Sequence, residues 1–179
     1  MTRVEELVAV SATPVQAMRA LLTVARAREW TAWDIRITPR RATPVLGVGD
    51  RFAIELFGGL TFEYVVEAIS DREVVLSYEG PWHGRERWSF VADGAETVVR
   101  RSYEVEGGTP LAVLAWGTVG RPVVSAHLRH ELARFRSAVE QHPGPRGEIE
   151  AGPWRSVEPP GDGDDARRPG GPSFPVDDG

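Results

Sequence analysis

Glu86 and Arg101 are the residues of this chain whose types and setting best suit chemistry. Each interrupts the apolar face of a strand-like run. Glu86 alternates with Trp88 and Phe90; Arg101 alternates with Val99, Tyr103 and Val105. A carboxylate beside an arginine stays ionised in an apolar interior, because the opposite charge favours the charged form. Such a pair can hold a ketone and polarise it toward enolisation, with a tyrosine giving or taking the proton. Tyr64 and Tyr78 fall on the same face as expected cross-strand neighbours, and Arg121 projects onto the apolar stripe of a later helix. Glu86, Arg101 and Tyr78 are therefore the catalytic candidates. A plainer reading stands beside this one. The ion pair can be an ordinary cross-strand pair at a barrel mouth, the tyrosines packing residues, and Arg121 a solvent-facing residue next to Pro122.

Other chemistries find no support. His127 and His130 have the i, i+3 spacing that puts two imidazoles on one side of a helix. No third ligand accompanies them, and His127-Leu128-Arg129-His130-Glu131 is not a HExxH arrangement, so no metal is expected. His83, at a strand start, is placed to shuttle protons at a cavity entrance. Gly47-Val48-Gly49 lacks the third glycine of a dinucleotide fingerprint. The chain has no lysine and no cysteine, which removes P-loop, Schiff-base and thiol chemistry. No cofactor is expected.

The elements that must position these residues follow from periodicity. Val4 to Val10 reads as a strand. Thr13-Pro14-Val15-Gln16 is a helix start with a capping box, and Met18, Leu21, Leu22 and Ala25 form one helical face. That helix is expected to break between Arg28 and Trp33, with Pro39 and Pro44 marking a loop. Five strands follow, with Phe52, Ile54 and Leu56, then Phe62, Tyr64 and Val66, then Leu76 and Tyr78 on one face of an antiparallel meander. The turns at Gly58-Gly59 and Asp93-Gly94 predict that 54 opposes 64, 56 opposes 62, and Glu86 opposes Arg101. The turn at Ser70-Asp71-Arg72 predicts 64 opposite 78, 66 opposite 76 and 68 opposite 74. A last helix from Pro110 to Gln141 carries Leu128, Leu132, Phe135 and Val139 in one stripe, with Leu114 and Val124 beside it. Gly117, Gly120 and Pro122 predict a kink or break near 117–122.

The chain has 179 residues, 41% of them hydrophobic, and a net charge of −5. Residues 1–142 form one domain. Residues 143–179 hold 16 Gly or Pro in 37 positions, with four Arg against eight Asp or Glu, and read as an acidic disordered tail in which Trp154 and Phe174 are the exceptions. A near-neutral body and an acidic tail argue against nucleic-acid binding, which usually needs a basic face. The longest low-polarity run, Leu111 to Gly120, is too short for a membrane span. With no signal-peptide pattern and no cysteine, the expectation is a cytoplasmic protein. The oligomeric state is not legible.

The order of these parts resembles the SRPBCC superfamily, the START-related helix-grip fold, and within it the polyketide cyclase/dehydrase-like group. The likeness rests on Ser11 to Met18, Trp30 to Asp34, Val48-Gly49-Asp50-Arg51-Phe52, Trp88-Ser89-Phe90, Gly94-Ala95-Glu96-Thr97 and His127 to Leu132, in that order over residues 4–141. It implies an α+β helix-grip fold: a curved antiparallel sheet of six to seven strands wrapped on a long C-terminal helix, with two short helices after the first strand. It also implies a cavity for a small hydrophobic ligand, polyketide- or lipid-like. The expected lining is Phe52, Ile54, Tyr64, Leu76, Trp88, Phe90, Tyr103, Arg121, Val124 and Leu128. Three functions fit: cyclisation or dehydration of the bound molecule, non-catalytic carriage of it, or a protein-interaction role in which Trp30 and Trp33 are exposed.

Overall fold

The computed structural model describes residues 2–32, 35–56, 59–110, 114 and 116–142. Strand β1 (Thr2–Val10) leads into helix α1 (Pro14–Leu22). The capping box forms: the Gln16 amide donates to Thr13 Oγ1 at 3.3 Å and the Thr13 amide to Gln16 Oε1 at 3.0 Å. The helix ends earlier than its periodicity suggests, at Thr23, whose extended backbone bridges to Val45. A 3-10 turn (Val24–Arg26) and the short helix α2 (Ala27–Trp30) follow.

Six further strands complete the sheet: β2 (Ile35–Pro39), β3 (Arg51–Leu56), β4 (Leu60–Ile69), β5 (Glu73–Glu79), β6 (Trp82–Asp93) and β7 (Glu96–Gly108). Their order is β1-β7-β6-β5-β4-β3-β2, and every pair is antiparallel. β2 is a strand that the sequence does not announce. Ile35 and Ile37 alternate with exposed Arg36 and Thr38, and Pro39 is tolerated because β2 lies at the sheet edge.

The faces of the meander are as expected, but two registers differ. Ile54 pairs with Phe62 and Phe52 with Tyr64. Glu86 pairs with Tyr103, and Arg101 with Trp88. Both differ from expectation by two residues, and a two-residue slip leaves each side chain on its own face. In the β6–β7 hairpin the cause is the turn itself. Its central residues are Gly94 and Ala95, with Gly94 at φ 61. Glycine in the first central position is the requirement of a type II′ turn. Between β4 and β5, Tyr64 faces Tyr78 and Val66 faces Leu76 as expected, but a bulge after Val66 brings Ala68 opposite Val75 and Ile69 opposite Val74. Ala68 is thereby exposed, and Ile69 packs inward.

A π-helical turn (Trp116–Gly120) runs into the long helix α3 (Arg121–Gln141) with Pro122 in its first turn, so the predicted irregularity falls at Gly117, Gly120 and Pro122. Proline lacks the amide N–H of a regular ladder, and it stands at this junction of π and α geometry rather than inside the long helix. Leu128, Leu132, Phe135 and Val139 are all buried and face the sheet; α3 packs on β1 and α2. Leu114 is exposed instead of joining that stripe. Trp30, which the protein-interaction reading requires at the surface, is buried with its ring edge-on to Trp88 and to Phe135, each at 5.7 Å between centroids. Trp33, Asp34, Phe57, Gly58 and the segment 143–179, with Trp154 and Phe174, lie outside the described residues. Among the described residues no helix is long and apolar enough to cross a membrane.

Candidate functional site

The inner face of the sheet, the turn between α1 and α2, and α3 enclose a chamber of about 130 Å³. Its walls are apolar: Phe52, Ile54, Leu76, Trp88, Val124 and Leu128 line it, and so do the rings of Tyr64 and Tyr103. Glu86, Arg101, His127 and Glu131 supply its charged or titratable wall. Three other expected site residues are placed elsewhere. Phe90 is fully buried packing outside the chamber. Arg121 opens the first turn of α3 and is exposed, as are its neighbours Pro122 and Val123. Tyr78 is buried but contributes nothing to the chamber wall.

The charged residues form one buried cluster. Arg101 donates through Nε to Glu86 Oε1 at 2.8 Å and through Nη1 to Glu131 Oε2. Trp88 Nε1 donates to the same Glu86 Oε1 at 2.6 Å, and the Arg101 guanidinium lies 4.6 Å from the Trp88 ring centroid. Cation, carboxylates and indole are thus one unit on adjacent strands and a facing helix turn. His127 Nε2 stands 3.6 Å from Glu131 Oε1 across one helical turn. Burial opposes the charge on Arg101, but Glu86 and Glu131 more than offset it and hold the guanidinium above its ordinary value. Burial likewise opposes the charge on Glu131, yet Arg101 and His127 bring its carboxyl down to about 2.

That depression has a measurable consequence. Glu131 titrates near 4.5 in the unfolded chain and near 2 in the folded one. Between those values only the unfolded chain binds the proton, so folding loses stability as pH falls through the window. The contribution, complete above pH 4.5, amounts to about 3 kcal/mol. Urea unfolding at pH 6, 4 and 3 is expected to show a steep loss for the parent chain and a flatter profile for Glu131→Gln. Equal slopes would mean that another group drives the acid limb.

Glu131 is absent from the sequence-based candidates although its signal is present. It lies three residues after Leu128 and four before Phe135, on the apolar stripe itself. A carboxylate in that position needs a buried partner.

The tyrosines are held in one protonation state. The Tyr78 hydroxyl donates to the Glu104 carbonyl at 2.6 Å, and its ring stacks on Tyr103 at 4.6 Å between centroids. Burial, then the neighbouring Tyr103, raises the Tyr78 hydroxyl far above its ordinary value. Burial also raises Tyr64, and it pushes Tyr103 up to about 12 although Tyr103 accepts from Trp82 Nε1 at 3.1 Å.

A wider, half-open groove of about 1160 Å³ adjoins the chamber on its β2 side. Val24, Ala27, Ile37 and Leu56 belong to both walls. Among the described residues the groove is lined by Arg28, Arg36 and Arg134 and by one carboxylate, Glu55.

The family model described as polyketide cyclase/dehydrase and lipid transport matches residues 1–140. No curated protein sequence matches the chain significantly. Solved structures share its fold. The Aha1 dimer from Colwellia psychrerythraea is 18% identical with a TM-score of 0.60, covering 80% of this chain and 100% of that one. The protein TTHA0849 from Thermus thermophilus is 14% identical with a TM-score of 0.62, over 77% and 97%. The di-domain ARO/CYC BexL from the BE-7585A biosynthetic pathway is 19% identical with a TM-score of 0.61, over 81% of this chain and 48% of BexL, so the chain spans about half of it.

Proposed function

Because the chain belongs to the polyketide cyclase/dehydrase and lipid transport family, we propose that its chamber binds a small, largely apolar molecule. One observation carries this reading: a partly open apolar space of about 130 Å³ that keeps a buried arginine and two buried carboxylates in its lining. Small-molecule sites have this character, apolar walls with a few fixed polar groups. The volume is close to that of an engineered cavity, roughly 150 Å³, that takes one benzene. The occupant therefore places a single ring, or a comparable piece of chain, in the chamber and extends any remainder into the groove.

Whether the molecule is transformed rests on Glu86. In the catalytic version its carboxylate takes a proton from carbon beside a carbonyl while Arg101 steadies the enolate. The enolate carbon then bonds to a second carbonyl, or expels a β-hydroxyl, and the protonated Glu86 returns its proton to the new alkoxide or to the departing hydroxyl, which leaves as water. The carrier version is favoured by a specific set of contacts. Tyr78 is committed to a backbone carbonyl, and Tyr103 and Arg101 keep their protons at neutral pH. Calorimetry and native mass spectrometry with monocyclic aromatics, aromatic polyketides and fatty acids test the binding. Ring-bearing compounds are expected to bind with one-to-one stoichiometry, and no binding by any of them would refute the reading. Glu86→Gln then separates the versions. Turnover lost with binding retained supports catalysis; no turnover even in the parent chain supports carriage.

A further inference from the structure

The groove beside the chamber gathers charge without pairing it. Arg28, Arg36 and Arg134 stand in its wall with one carboxylate, Glu55, and among the described residues none of the four is in an ion pair. Elsewhere on the surface Arg40, Arg85, Arg87 and Arg100 each have a carboxylate partner. Three arginines against one glutamate leave the groove a surplus of positive charge in a chain whose net charge is −5. The rest of its lining is largely apolar, with Val24, Ala27, Ile35, Ile37 and Leu56. A surface that is apolar and cationic at once fits an acidic segment with an aromatic or aliphatic anchor.

The chain's own sequence supplies such a segment, and α3 leads to it. A trough of about 380 Å³ runs along the C-terminal half of α3, with His130, Ala133, Arg134, Ser137, Gln141 and His142 in its wall. Arg134 belongs to both trough and groove, so the two adjoin. Gln141 ends α3 about 10 Å along the helix axis from Arg134. Glu148-Ile149-Glu150-Ala151-Gly152-Pro153-Trp154 comes next, with two carboxylates and no cation. From Gln141 an extended chain reaches about 23 Å by Glu148 and about 43 Å by Trp154. We propose that residues 148–154 dock in this groove of their own chain, with Glu148 and Glu150 on the arginines and Ile149 and Trp154 on the apolar lining. The two carboxylates match the surplus charge of the groove. The tether gives the segment an effective concentration on the order of millimolar, so an affinity of only about 1 mM keeps about half the molecules docked. This docking does not depend on the chamber holding a small molecule; a guest that outgrows the chamber competes with the segment for the groove.

The chain has no cysteine, so spin labels go only where cysteine is introduced. Thr38→Cys, exposed on β2, is combined with Ala151→Cys in the full chain, and the distance between the labels is measured by double electron–electron resonance. One narrow, short-distance peak is expected, and it should survive dilution with an excess of unlabelled chain. The peak should give way to a broad distribution when Trp154→Ala is added, and also when Arg28→Gln, Arg36→Gln and Arg134→Gln are added together. A second labelled pair, Thr38→Cys with Val91→Cys, lies wholly on the sheet and should keep one distance throughout, which reports an intact fold. Trp154→Ala leaves the described fold untouched, so its effect stands whatever the arginine substitutions do to folding. A broad distribution in the parent sequence overturns the proposal. So does a narrow peak indifferent to the arginine substitutions, which would seat the segment elsewhere. Loss of the peak on dilution assigns the groove to a second copy of the chain and overturns the proposal as well.

Discussion

Arg101→Met is expected to cost about 3–5 kcal/mol of folding stability, the range for removing one partner of a buried ion pair. The arginine is 7% exposed and is the cation between Glu86 and Glu131, each 2% exposed. Methionine approximates its length and can still lie against Trp88, so packing changes little. What remains are two buried carboxylates without their shared cation, Glu86 held only by Trp88 Nε1 and Glu131 beside His127. Adding Glu86→Gln and Glu131→Gln to the same chain should recover most of the loss, since neutral amides need no counter-charge. Urea denaturation of the single and triple variants measures both effects. A single-variant loss below about 1 kcal/mol would show that the carboxylates are balanced by some other means. The result also bears on function. An inactive Arg101 variant says little about catalysis, because its fold is expected to suffer; Glu86→Gln is the cleaner probe.

Gly84→Ala should be as damaging for a different reason. A Cβ at Gly84 would lie 1.9 Å from the Glu104 carbonyl oxygen and 2.7 Å from the Tyr78 hydroxyl. The first contact is with backbone, which moves only if the β6–β7 pairing opens at the bulge between His83 and Gly84. A loss of about 4 kcal/mol or more, or failure to fold, is expected. Tyr78→Phe in the same chain removes only the softer clash and should not rescue it. Gly117→Ala is the matched control: it sits in the π turn with nothing within 4 Å of the added carbon, and its stability should not fall. Wild-type stability for Gly84→Ala would mean that the strand can shift at little cost.

The parts of the fold that follow from period were legible, and the parts that follow from the position of the turns were not. Alternation at 52, 54, 64, 76 and 88 assigned side chains to the inner face, and the spacing of Leu128, Leu132, Phe135 and Val139 assigned the helix stripe. Register depends on which residues make the turn, and Gly94-Ala95 displaced Asp93-Gly94. Helical angle places Arg121 beside Leu128 but says nothing about position along the axis. Arg121 belongs to the first turn, where its immediate neighbours are exposed too. Tyr78 has the inward face expected of it, but the space left by Gly84 lets its hydroxyl reach across β6 to Glu104, a contact invisible to any pairwise reading of neighbouring strands.

The shared walls of the chamber and the groove have a kinetic corollary. Val24, Ile37 and Leu56, common to both walls, stand between the chamber and the groove. Side chains at such a rim change rotamer in picoseconds to nanoseconds, far faster than domains unfold. Under the binding reading proposed above, exchange of a guest is expected to follow the motion of these few apolar side chains rather than the unfolding of the domain.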